Sequence, residues 1–198
     1  SPNPKSLKPN RSTMVILIMG EFIFGLGDSL LIAAGVGNTP WTVLAEGIAD
    51  TVEVWTIGEA TFLVSIAVMF LWIPIKETPG IGTILNIIII ALTIHVMVPI
   101  LPQSESLLVS ILMASSGIVL VGIGSSMYLT ANLGPGPRDG WMTGLQKSTG
   151  VPIGRVRITI EASVLVIGVF LGGTFGIGTV LFALTIGPVV ATCLSIAS

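Results

Sequence analysis

Charge is what this chain has least of. Only 9% of its 198 residues are Asp, Glu, Lys or Arg, against 52% hydrophobic, and the mean hydropathy is +0.99. A soluble domain of that size would be left without a polar surface, so composition alone places the chain in the membrane class. Cysteine occurs once, at Cys193 in the last apolar run. A single thiol excludes an intrachain disulfide, and Cys193 is read as an inert lipid-facing or packing side chain. There is no zinc-ligand spacing. With no basic stripe and a net charge of −2, a nucleic-acid partner is not expected. No nucleophile–base set, metal cluster or cofactor signature stands out, so the reading is of a non-enzyme without cofactor or metal.

What the chain has instead is long apolar runs, each near the roughly 20 residues that cross about 30 Å of hydrocarbon. Residues 1–13 hold Lys5, Lys8, Arg11 and three prolines and read as a tail. A basic start before an apolar run is also the pattern of a leader, but the stretch from Met14 to about Val36 is taken as a span. Further spans are expected at Ile57–Ile75, Gly80–Leu101, Leu107–Leu133, Ile158–Phe175 and Gly176–Ile196. Six crossings put Lys5, Lys8, Arg11, Lys76, Arg138, Lys147, Arg155 and Arg157 on the side of the termini. Because short Lys- and Arg-rich loops stay inside, both termini are expected in the cytoplasm. The loop with Glu46, Asp50 and Glu53 then faces outward.

The two halves echo each other. Gly20, Gly25 and Gly27 recur 97 residues later as Gly117, Gly122 and Gly124, and Gly37, Pro40 and Gly47 as Gly134, Pro137 and Gly144. After a one-residue deletion, Ile57-Gly58 matches Ile153-Gly154, and Gly80-Ile81-Gly82-Thr83 matches Gly176-Ile177-Gly178-Thr179. Residues 14–103 and 104–198 therefore read as two repeats. With three crossings each, the second must enter the membrane from the opposite side. The fold class predicted is an all-α polytopic membrane protein of about six spans, arranged as two inverted three-helix repeats.

Each repeat is interrupted after its first span, at Gly37-Asn38-Thr39-Pro40-Trp41 and at Gly134-Pro135-Gly136-Pro137-Arg138-Asp139-Gly140-Trp141. Proline is tolerated in the first helical turn, where its missing N–H has no partner to lose, and Thr39 is placed to cap the first of the two helices. Short helices are predicted over about 39–51 and 136–148. Re-entrant, they would aim two partially positive N-termini at the midplane and make Thr39, Pro40, Trp41, Gly136, Pro137, Arg138 and Asp139 candidate substrate-binding residues. Interfacial, they would lie flat with Trp41, Trp55 and Trp141 as anchors. Glu46, Asp50, Arg138 and Lys147 favour the second arrangement unless a polar cavity receives them.

Ionisable residues inside a span mark function by default. Glu21 and Asp28, seven apart on one face of the first span, are the candidate proton-coupling pair, against the alternative of neutral, hydrogen-bonded carboxyls. The second repeat has Ile118 and Ser125 at these places, so any acid site is asymmetric. Arg157 and Glu161 are spaced as a local i,i+4 ion pair. Glu59 and Arg155 are expected to cap their helices. His95 is expected to make one interhelical hydrogen bond, and Asn86 reads as helix glue rather than a ligand. The intramembrane glycines are read as close-packing positions, not as a nucleotide loop.

The pattern Gly134-x-Gly136-Pro137-x-Asp139-Gly140-x-Met142-x-Gly144-Leu145, with the earlier Gly37-x-x-Pro40-Trp41, resembles the bacterial YczE/YitT-type integral membrane proteins, the YczE-like branch above all. The resemblance runs from Gly20 onward. It implies a small multi-pass protein of the bacterial inner membrane and carries over no catalytic residue. Two functions are carried from the sequence. One is a secondary transporter or permease for a small polar or anionic solute. The other is an accessory or structural subunit packed against a larger membrane complex. The expected partners are the lipid bilayer, a small-molecule substrate, and either a homodimer mate or a larger assembly.

Overall fold

The computed structural model describes residues 10–197. Nine helical segments follow one another: α1 (Arg11–Ala34), α2 (Pro40–Val52), α3 (Ile57–Phe70), α4 (Trp72–Ile75), α5 (Ile81–Met97), α6 (Leu107–Ala131), α7 (Pro137–Thr149), α8 (Ile153–Phe170) and α9 (Ile177–Ala197). No strand occurs among the described residues. Residues 1–9 of the predicted tail lie outside the described part, and Arg11 to Thr13 belong to α1 rather than to the tail.

Four helices are long and apolar enough to cross a bilayer: α1, the run Ile57–Ile75 formed by α3 and α4, α6 and α9. The other two predicted spans are less complete. Helix α5 has 17 residues, about 25 Å at 1.5 Å per residue. Helix α8 carries Arg155, Arg157 and Glu161 in its first half and starts at Ile153, not at Ile158. The sequence missed both points because an apolar run gives length but not where helical hydrogen bonding starts and stops.

The centre of the fold is the crossing of α1 and α6, which run in opposite directions and touch through glycine. A Cβ on Gly20 would sit 3.0 Å from Gly124 O, and one on Gly27 would sit 2.6 Å from Gly117 O. In lipid no hydrophobic drive pulls helices together, so backbone contact of this kind is what associates them. Around it Leu31, Ala34, Ala114, Ile118, Val121, Phe182 and Ile186 form a core joining α1, α6 and α9. A second core, with Trp41, Val64, Val68, Met142, Val156, Ile160 and Val164, joins α2, α3, α7 and α8.

The chain leaves each central helix in the same way. Gly37 and Gly134 both have positive φ, 113° and 126°, which glycine adopts without a Cβ penalty. Each lies against the start of a helix in the other half, Gly37 against Gly176 before α9 and Gly134 against Gly80 before α5. Gly82 N–H donates to Leu133 O at 2.9 Å, and Gly178 N–H donates to Val36 O at 2.8 Å. Thr83 and Thr179 accept from Gly80 N–H and Gly176 N–H at 3.1 and 3.3 Å. These joints hold the first turns of α2 and α7 in the interior.

Candidate functional site

Helix α2 begins as predicted. Thr39 is extended, its hydroxyl accepts from Thr42 N–H at 3.3 Å, and Pro40 opens the helix. Helix α7 begins at Pro137 after Gly136, which supplies no side-chain cap. Trp72 Nε1 donates to Pro137 O at 2.9 Å and pins this turn to α4. The two openings converge. The Arg138 guanidinium lies over the Trp41 ring, 5.1 Å from its centroid, and Trp41 meets Trp141 edge-on at 6.4 Å. Trp41 is only 5% exposed, so it is a buried platform and not an interfacial anchor.

A cavity of about 110 Å³ lies at this meeting point. Thr39, Trp41, Gly136, Pro137, Arg138 and Asp139 all line it. Six of the seven predicted substrate-binding residues are thus brought together. Pro40 is buried but does not line the cavity. The polar cavity that would receive Arg138 exists, whereas Asp50 and Lys147 are exposed. Glu46 is held separately, accepting from Asn38 Nδ2 at 2.8 Å and from Thr174 N–H and Oγ1 at 2.7 and 2.8 Å.

Several lining groups lack a partner. Ser65 from α3, Asn86 from α5 and Ser125 from α6 are 6%, 9% and 7% exposed, line the cavity, and make no side-chain hydrogen bond among the described residues. Arg138 has no hydrogen bond and no carboxylate within ion-pair distance among those residues. Asp139 accepts a short hydrogen bond from the Tyr128 hydroxyl and has no cation within 4.0 Å. By contrast Arg157 and Glu161, also at the cavity, are satisfied by each other at 3.0 Å, the predicted i,i+4 pair. Buried polar groups are normally paired, so three unpaired ones beside the half-buried Arg138 describe a place for a polar guest or for water.

The family model described as "Family of unknown function (DUF6198)" matches residues 11–195. The chain belongs to this family. It is 45% identical over 184 residues to a Haemophilus influenzae protein described as "Uncharacterized protein", covering 93% of this chain and 84% of that one. It is 33% identical over 173 residues to the Bacillus subtilis "Uncharacterized membrane protein YczE", covering 85% and 79%. A second Bacillus subtilis protein, YyaS, is 27% identical over 175 residues, covering 82% and 83%. No solved structure matches the chain. The YczE-like resemblance is therefore sound, and this family member is an all-helical membrane protein.

The predicted proton-coupling pair is buried but divided. Asp28 and Glu21 are both 0% exposed. Asp28 Oδ2 accepts from the Thr42 hydroxyl at 3.3 Å, tying α1 to the start of α2. Glu21 has neither oxygen hydrogen-bonded and lines no part of the cavity. Spacing put them on one face of α1 and could not tell that only Asp28 reaches α2. Asn86 is a correction of another kind: with no interhelical bond and a place on the cavity wall, it is not glue. His95 does make its expected bond, with Thr56 Oγ1 at 2.9 Å from Nδ1, and Glu59 closes a capping box with Thr56. Ser65, Ser125 and Tyr128 were missed. For Ser65 the signal is a small polar residue inside an apolar run, and for Ser125 also its correspondence to Asp28 97 residues earlier.

Proposed function

We propose that this protein is a secondary transporter or permease for a small polar or anionic solute, with the solute held between two inverted three-helix repeats. The observation that carries the reading is the cavity at the joint N-termini of α2 and α7, walled by unpaired polar groups from four different helices. Interrupted helices with N-termini directed at a midplane site are how such folds bind solutes, and the partial positive charge of each N-terminus favours an anionic group.

The contacts between equivalent positions support inversion. Gly20 lies against Gly124 and Gly27 against Gly117, an exchange of partners between residues 97 apart. Trp41 and Arg138, also 97 apart, stack on each other. Residues that meet their own counterparts lie beside a pseudo-two-fold axis. Because α1 and α6 run in opposite directions there, the axis lies across these helices rather than along them. On this reading α2 and α7 are re-entrant, α5 and α8 complete the six crossings, and both termini face the cytoplasm of a bacterial cell.

Flux is the test. The purified protein in liposomes is expected to carry radiolabelled amino acids or organic anions, with and without a pH gradient, above empty liposomes. No flux across such a panel, from protein shown to be folded and inserted, would overturn the transport reading.

A further inference from the structure

We propose that the occupant of this cavity is a small zwitterion, an α-amino acid with a short apolar side chain. The inference rests on the transport reading of the same site and narrows it. Arg138 and Asp139 are adjacent in the first turn of α7, both line the cavity, and neither forms an ion pair among the described residues. Both are half-buried, and opposite charges that do not pair with each other at the wall of a cavity leave both open to a ligand that meets them together.

A simple anion would engage Arg138 alone, and a simple amine would engage Asp139 alone. A molecule with a carboxylate and an ammonium on neighbouring atoms satisfies both. The guanidinium fork is the natural carboxylate partner, since it offers parallel N–H donors. It also stands in the first turn of a helix, where a cation is disfavoured by the dipole until an anion joins it. Asp139 keeps one carboxylate oxygen beyond the one that takes the Tyr128 hydroxyl. Asn86, whose Oδ1 would lie 3.2 Å from a Cβ on Gly136, and the hydroxyls of Ser65 and Ser125 supply the remaining donors and acceptors.

Size and lining set the rest of the molecule. The void of about 110 Å³ is well below the roughly 300 Å³ at which drug-sized pockets begin. Its lining also includes Ile87, Phe182, Ile186 and Val190, which suits a short apolar side chain.

Binding to the purified, detergent-solubilised protein, followed by calorimetry and thermal shift, separates the cases with three probes. L-alanine carries both charges, propionate lacks the ammonium, and alaninamide lacks the carboxylate. Alanine is expected to bind, with each analogue about ten- to a hundredfold weaker, the size of one lost charge-assisted hydrogen bond. Asp139→Asn is expected to narrow the gap between alanine and propionate. Should that variant not fold, the three wild-type affinities decide alone. Propionate binding as tightly as alanine would overturn the zwitterion while leaving an anion transporter standing. Absence of binding by all three, with flux of other solutes retained, would do the same. Absence of both binding and flux would remove both proposals.

Discussion

Helices α2 and α7 occupy corresponding places in the two halves, have 13 residues each and start with proline, yet they are used differently. In α2, Pro40, Trp41, Thr42, Val43, Ala45, Gly47 and Ala49 are buried, and several of its polar groups bond within the fold: Thr39 caps, Thr42 bonds Asp28, and Glu46 clamps the Thr174 loop. In α7 only Pro137, Gly140, Met142 and Gly144 are buried, and its charged first turn faces the void. At the pseudo-equivalent positions 41 and 138, one half places a tryptophan platform and the other a guanidinium on top of it. The two helices share a length and a proline start, yet α2 is mostly buried in the fold while the charged first turn of α7 borders the void.

The largest effect is expected where the scaffold copy is cut. Glu46→Ala removes the acceptor of three hydrogen bonds and leaves Thr174 N–H and Asn38 Nδ2 without a partner. Unpaired buried donors cost about 1–3 kcal/mol each, so a loss of about 3 kcal/mol in thermal unfolding is expected. Thr143 stands at the matching position of α7 and its hydroxyl only returns to Asp139 O and Gly140 O within the same helix. Thr143→Ala is expected to change stability by less than about 0.5 kcal/mol. Equal losses at 46 and 143 would break the division of labour between the two helices.

A functional effect without a stability effect is expected on the other side. Arg138→Gln loses a cation–π contact of about 0.5–1 kcal/mol. It also removes a cation from the positive end of a helix, a relief of about 0.3–1 kcal/mol. The two nearly cancel, so the unfolding temperature is expected to stay within a few degrees of the wild type. Flux of carboxylate-bearing solutes is expected to be abolished. Retained flux would show that the guanidinium serves the fold and not the solute.

Much of this contrast could be read from the chain alone, because it is written in residues with strong local rules. Pro and Gly mark the two interruptions, Thr39 and Glu59 announce their caps, and the spacing of Arg157 and Glu161 fixes their bond, whereas Arg155, expected to cap α8, makes no side-chain cap bond there. The cavity wall was harder to see. Ser29, Thr61 and Thr93 satisfy their hydroxyls on the carbonyl four residues earlier, while Ser65 and Ser125 line the void and make no side-chain hydrogen bond among the described residues. In sequence the two kinds are identical, small polar residues inside apolar runs. Which one a position becomes is decided by the neighbouring helix, a fact of tertiary packing. The same applies to Glu21 and Asp28, whose shared face on α1 says nothing about which reaches α2.

A comparison of two substitutions sharpens the contrast at its centre. Trp41→Phe keeps an aromatic face beneath Arg138 and removes Nε1, a buried donor with no acceptor among the described residues. Deleting an unpaired polar atom relieves about as much as the lost ring volume costs, so a net change below about 1 kcal/mol is expected. Asp139→Ala, by contrast, takes the acceptor away from the buried Tyr128 hydroxyl and removes a favourable charge from the first turn of α7. A loss of about 2 kcal/mol is expected there. Thermal unfolding of the two variants side by side tests the order. If Trp41→Phe proves the more damaging, the ring is the keystone of the meeting point between the halves. The charged turn of α7 would then rest on it rather than be held by Tyr128.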